Sequence, residues 1–74
     1  DVAVYRKENV IKEGSMITRK PVKDLTMPQG TTIGGLVRNG EGMLVSGNTQ
    51  INAGDFVVVF CHDVNMKKLE KLFN

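Results

Sequence analysis

The run Phe56-Val57-Val58-Val59-Phe60-Cys61 is apolar on both of its faces. In an extended chain successive side chains point opposite ways, so Phe56, Val58 and Phe60 share one face and Val57, Val59 and Cys61 the other. β-Branched and aromatic residues favour a strand here. A strand apolar on both sides belongs in the interior of a sheet, covered above and below. A chain of 74 residues has little material for two covers. At this size only about 60% of the unfolded surface is buried, and stability usually leans on a partner, a metal, disulfides or an attached domain. Cys61 is the single cysteine, so no internal disulfide forms, and it reads as a small buried hydrophobe. No cysteine/histidine cluster suits a structural zinc. A partner subunit or a neighbouring domain remains.

One cover follows directly in the sequence. Asp63 is a good N-cap, and residues 64–73 read as a helix. Met66, Leu69 and Phe73 recur at i, i+3 and i+7 with Leu72 beside them, while Lys67, Lys68 and Lys71 face away. The second cover is expected from a short helix earlier in the chain or from a second subunit.

Residues 2–12 read as one extended segment, punctuated by Gly14-Ser15. Pro21 suits a first helical turn, Val22 and Leu25 share a face, and Pro28 stops the helix after one or two turns. Residues 31–38 read as a strand with Ile33 and Val37 on one face and Leu36 and Arg38 on the other; Gly34-Gly35 weakens it and points to a bulge or a close backbone approach. Asn39-Gly40 is a strong hairpin signal, because both residues tolerate positive φ. Residues 43–45 return, Ser46-Gly47-Asn48 turns, residues 49–51 are extended, and Ala53-Gly54-Asp55 leads into the apolar run. The expectation is one α+β domain over residues 1–74: a small, mostly antiparallel sheet with one short helix and a C-terminal helix.

No catalytic set emerges. Cys61 and His62 are strand neighbours and point apart, which makes a poor nucleophilic pair. Ser46, His62 and Asp55 could be drawn as a triad, but no nucleophile elbow supports it. The glycines match neither a dinucleotide nor a P-loop fingerprint. Asp24, Glu41, Asp55 and Asp63 have no calcium-loop spacing and read as solvated surface. The net charge is +2 with no run of five basic residues, which argues against nucleic acid. No segment has the apolar length of a membrane helix, and there is no secretory leader. Four Met and a free thiol suit a reducing cytoplasm, and Asp at position 1 fits a piece of a longer protein. Arg38 is the ligand candidate. It ends a strand beside a glycine-rich hairpin, placed either to meet an anion at a subunit interface or to pair with an acid such as Glu41 across the hairpin.

From Glu13 onward the chain resembles the TrkA-C domain, also called the RCK C-terminal domain. The matching residues are Glu13-Gly14-Ser15, Lys20-Pro21-Val22 with Leu25, Pro28 with Gly30-Thr31, Ile33-Gly34 with Leu36-Val37-Arg38, Gly54-Asp55 before the apolar run, and Leu69-Glu70-Lys71-Leu72-Phe73. The chain departs from the pattern in Arg19, where the family often has Gly, and in lacking a Pro near Ser46. The resemblance implies a non-enzymatic regulatory domain of a cytoplasmic peripheral subunit, bound at the inner face of the membrane to a potassium transporter. It implies a homodimer, with a small anionic ligand between subunits in some relatives. NAD(H) or ATP is expected only in a neighbouring N-terminal domain, with no cofactor in these residues. The competing reading is a lipoyl- or biotinyl-type carrier, which needs a modifiable Lys at a hairpin tip. The tips here, Asn39-Gly40 and Ser46-Gly47-Asn48, have none.

Overall fold

The structure is a computed structural model that describes the backbone of residues 2–6 and, with side chains, residues 10–73. Four strands form one antiparallel sheet: β1 (Val2–Arg6), β2 (Thr32–Arg38), β3 (Glu41–Met43) and β4 (Phe56–His62), in the order β1-β4-β2-β3. The apolar run is thus an interior strand, as its composition requires. A helix, α1 (Met66–Phe73), closes the chain. The expected α+β class holds, although several boundaries differ.

Val57, Val59 and Cys61 are buried on one face of β4, and Leu69 and Phe73 of α1 are buried in the same cluster. The irregular segments contribute Ile11, Ile17 and Ile51, all buried. Val22 and Leu25 also pack against this cluster. The short helix therefore covers the face that α1 already covers. On the other face Phe56 and Val58 are half-buried and Phe60 is exposed.

The bulge between Ile33 and Gly35 corrects the expected pairing of faces. Ile33 lies opposite Val59 and Leu36 opposite Val57, so Gly34 is the extra residue. Inserting one residue reverses the alternation. Ile33 therefore packs against the core on the same side as Leu36, while Val37 is exposed on the outer face.

Other boundaries shift for local reasons. The short helix is a single 3₁₀ turn, Val22–Asp24, with Pro21 as its cap rather than its first residue. A second 3₁₀ turn, Met16–Thr18, was not expected. The hairpin forms at Asn39-Gly40 with φ of 53° and 80°, but its return strand is Glu41–Met43, leaving Leu44 and Val45 beyond it. Residues 49–51 are not a strand; Thr49 instead accepts a backbone bond from Val22, 2.9 Å. Asp63 is not an N-cap. It opens a 3₁₀ turn, Asp63–Asn65, for which His62 is the cap and no side chain bonds the backbone. That turn is held from outside, by Asn65 Nδ2 donating to the Gln29 carbonyl at 3.1 Å. Of the expected extended segment 2–12, residues 7–9 lie outside the described residues, and Ile11 joins no strand.

Candidate functional site

Arg38 is the last residue of β2, on the core side of the bulged strand, and Asp55 immediately precedes β4. The register pairs Val37 with Phe56, so Arg38 and Asp55 fall opposite one another. Arg38 Nε donates to Asp55 Oδ1 at 2.8 Å, and Nη2 donates to Oδ2 at 2.7 Å. This fork-to-fork geometry is the strong form of an ion pair. Nη2 also donates to the Gln50 carbonyl, 2.9 Å. The Asn52 amide donates to Asp55 Oδ2, 2.8 Å. The expected partner Glu41 sits across the hairpin from Arg38 but forms no ion pair with it among the described residues. Asp55, expected at the solvated surface, is 1% exposed.

The turn beneath the pair explains its placement. Gly54 has φ 91°, a left-handed conformation that favours glycine. Its amide donates to the Ile11 carbonyl at 2.7 Å, and the Ile11 amide donates to the Asp55 carbonyl at 2.8 Å. Four pieces of chain meet here: the end of β2, the start of β4, the loop at 50–52 and the strap at Ile11. The hydrogen-bonded Arg38 guanidinium holds the Asp55 carboxyl below the usual carboxylate range. The Asn52 amide adds to this, and burial opposes it. The same bond raises the Arg38 pKa. Arg38 Nη1 has no hydrogen bond among the described residues, and the pair borders a hollow of about 210 Å³ together with Asn39, Asn52, Ala53 and Gly54.

Asp55 is saturated by Arg38 and Asn52, and Ser46 is engaged with Thr49 in the 46–49 turn, so the drawn triad with His62 does not assemble. Cys61 is buried and His62 exposed, on opposite sides as their adjacency requires. Among the described residues no group of three His, Cys, Asp or Glu could hold a metal ion, and no helix is long and apolar enough to cross a membrane.

The second feature is the outer face of the sheet. An open hollow of about 440 Å³ lies over Gly34 and Gly35, bordered by Val37, Met43, Leu44, Val58 and Phe60. No charged residue lines it. Leu44 is 91% exposed and Phe60 38%. Phe60 lies across Gly34, where an added Cβ would come 2.6 Å from its ring.

A family model described as the TrkA-C domain matches residues 7–74. The chain belongs to the TrkA-C family. Among its relatives, the Trk system potassium uptake protein TrkA of Azorhizobium caulinodans is 39% identical over 61 residues, covering 82% of this chain and 13% of the relative. The K(+)/H(+) antiporter NhaP2 of Shewanella baltica is 34% identical over 74 residues, covering all of this chain and 12% of the relative. A TrkA homolog of Archaeoglobus fulgidus is 31% identical over 64 residues, covering 86% of this chain and 15% of the relative. This TrkA-C domain therefore spans only a small part of the proteins it matches, which are named for potassium uptake and for K(+)/H(+) antiport.

Sequence reasoning found the TrkA-C family and placed Arg38 at the end of its strand, but missed its pairing with Asp55 and the open face. The signal for Asp55 was available: a Gly-Asp turn entering the central strand, opposite an arginine once the bulge is counted. The open face was hidden because Val37 was paired with Ile33.

Proposed function

We propose that this TrkA-C domain is the regulatory and dimerising module of a cytoplasmic peripheral subunit that controls potassium uptake through a membrane transporter. The observation that carries it is the open apolar face over Gly34-Gly35, in a chain whose relatives are named for potassium transport. The occupant is a second copy of the domain. In a twofold interface each residue near the axis meets its own counterpart, so any charge would face its like. A patch lined by no charged residue meets that condition. It also supplies the second cover that β4 lacks within one chain. Where a small anion is sensed, Arg38 meets it through Nη1, the edge that Asp55 leaves open. Nucleotide cofactors belong to a neighbouring domain, and this one binds neither NAD nor ATP tightly.

Two measurements test the reading. Sedimentation equilibrium of the 74-residue chain at micromolar concentration should give a dimer; a folded monomer throughout would remove the dimerising role. Rubidium uptake by cells carrying the parent protein with Val37→Glu should lose its regulation while the protein remains present at normal level. Unchanged uptake control would remove the regulatory role.

A further inference from the structure

A second apolar hollow lies on the helix side of the sheet and shares no residue with the open face. Its volume is about 390 Å³, inside the range of 300–1,000 Å³ common to small-molecule sites. Met16, Met27, Pro28 and Leu72 line it, and Lys68 and Lys71 stand on one wall. The two lysines are three apart on α1, so they are neighbours on the helix surface. Neither has an ion pair among the described residues, and both are exposed. An adjoining hollow of about 230 Å³ shares Met16, Thr26 and Leu72 and adds Arg19 and Lys20. The only acid lining either one is Asp24. The result is an apolar strip floored by methionine and leucine, with Lys68 and Lys71 bordering one hollow and Arg19 and Lys20 the other, none of them in an ion pair among the described residues. Flexible, polarisable Met side chains suit an adaptable apolar ligand. The cations ask for an acid group attached to it.

We infer that this strip binds a free single-chain anionic amphiphile, with its aliphatic body against Met16, Met27 and Leu72 and its carboxylate or phosphate between Lys68 and Lys71. The inference goes beyond the dimerising role and does not depend on it, because the two surfaces are separate. Thr26 lines both hollows. A bound chain buries apolar surface that the strip leaves in water. Each added methylene, while the strip can still cover it, should tighten binding about fourfold.

The test uses the whole chain labelled with ¹³C at its four methionine methyl groups. Decanoate is titrated below its micelle-forming concentration. The Met16 and Met27 signals should move together, while Met43, which borders the other hollow and not this one, stays still. Dodecanoate should bind more tightly than decanoate, and decyltrimethylammonium should not move Met16 or Met27. The variant Lys68→Glu/Lys71→Glu changes only exposed side chains, so it should fold normally and bind decanoate at least about tenfold more weakly. Three results would overturn the proposal: Met43 moving at the same concentration as Met16, charge reversal leaving the affinity unchanged, or binding to anionic phospholipid vesicles without binding to the free acid.

Discussion

Arg38 and Asp55 lie fork to fork, Nε 2.8 Å from Oδ1 and Nη2 2.7 Å from Oδ2, and their contact fastens the end of β2 to the start of β4. Arg38 is 29% exposed and Asp55 2% by side chain. The two partners are therefore not equivalent. Arg38 without Asp55 can return to water, whereas Asp55 without Arg38 is a buried carboxylate with one remaining donor, the Asn52 amide. Truncating one partner of a buried pair costs most when the other is left unsolvated. Arg38→Ala should lower the melting temperature more than Asp55→Asn, which removes the charge but keeps an acceptor for Asn52. Thermal unfolding of the two variants at pH 7 checks the order, and the reverse order would mean that Asp55 is solvated in the folded chain.

The same pair sets a pH dependence. The folded pKa of Asp55 is depressed below its unfolded value of about 3.9. A depressed acid pKa contributes stability that is full above the unfolded value and disappears as pH falls through the folded value. Other carboxylates titrate in this range too, so the quantity to follow is the difference between wild type and Asp55→Asn. That difference in melting temperature should be constant from pH 7 to about pH 5 and shrink toward zero as acid is added. A difference that persists at low pH would show that the carboxylate charge is not what Asp55 contributes.

How much of this was legible in the sequence depends on whether a feature is local. The strand expected at 56–61, the hairpin at Asn39-Gly40 and the core side of α1 each follow from a pattern within a few residues, and each formed there, the strand running one residue further to His62. A bulge was one of two readings of Gly34-Gly35, beside a close backbone approach, and its effect was not carried through the strand. A single inserted residue moves Val37 to the open face and puts Ile33 beside Leu36. The Arg38–Asp55 pair joins residues 17 apart and needs that register before it can be seen. Asp63 looked like a cap by residue type, yet the turn it opens is held by Asn65 reaching Gln29, a contact across 36 positions.

Phe73 and Leu69 anchor α1 in the core, and both are buried almost completely. Phe73→Ala removes a ring that the surrounding side chains cannot replace. Losses of this type cost about 3–5 kcal/mol, a large share of the stability of a small domain. Lys67→Ala, on the exposed side of the same helix, should stay within about 0.5 kcal/mol of wild type. Urea denaturation of both variants makes the comparison, and equal midpoints would mean that α1 packs by another face.

Gly30 has φ 80°, and the His62 ring lies where a Cβ would be, with Nε2 at 2.7 Å. Gly30→Ala therefore meets two separate penalties: the left-handed backbone, worth about 1 kcal/mol, and a clash with the imidazole. His62→Ala in the same chain should relieve the second and leave the first. The double variant is expected to be more stable than Gly30→Ala alone and less stable than His62→Ala alone. If removing His62 recovers nothing, the ring does not sit over Gly30 in solution.

Leu44 separates dimer formation from monomer stability. It follows β3, is 91% exposed in one chain, and borders the open hollow beside Met43. An isolated chain gains almost nothing from burying it, so Leu44→Glu should leave the unfolding of the monomer unchanged. In a twofold dimer the same substitution places glutamate against the partner's apolar face, or against its own copy, and both are unfavourable. Mass action links the two: a dimer that binds folded chains only makes the melting temperature rise with protein concentration. Wild type should therefore melt higher as it is concentrated, and Leu44→Glu should melt at one temperature throughout, equal to that of dilute wild type. A concentration-dependent melting temperature that survives in Leu44→Glu would move the interface off the open face. A variant that melts far below dilute wild type would show instead that Leu44 packs within its own chain.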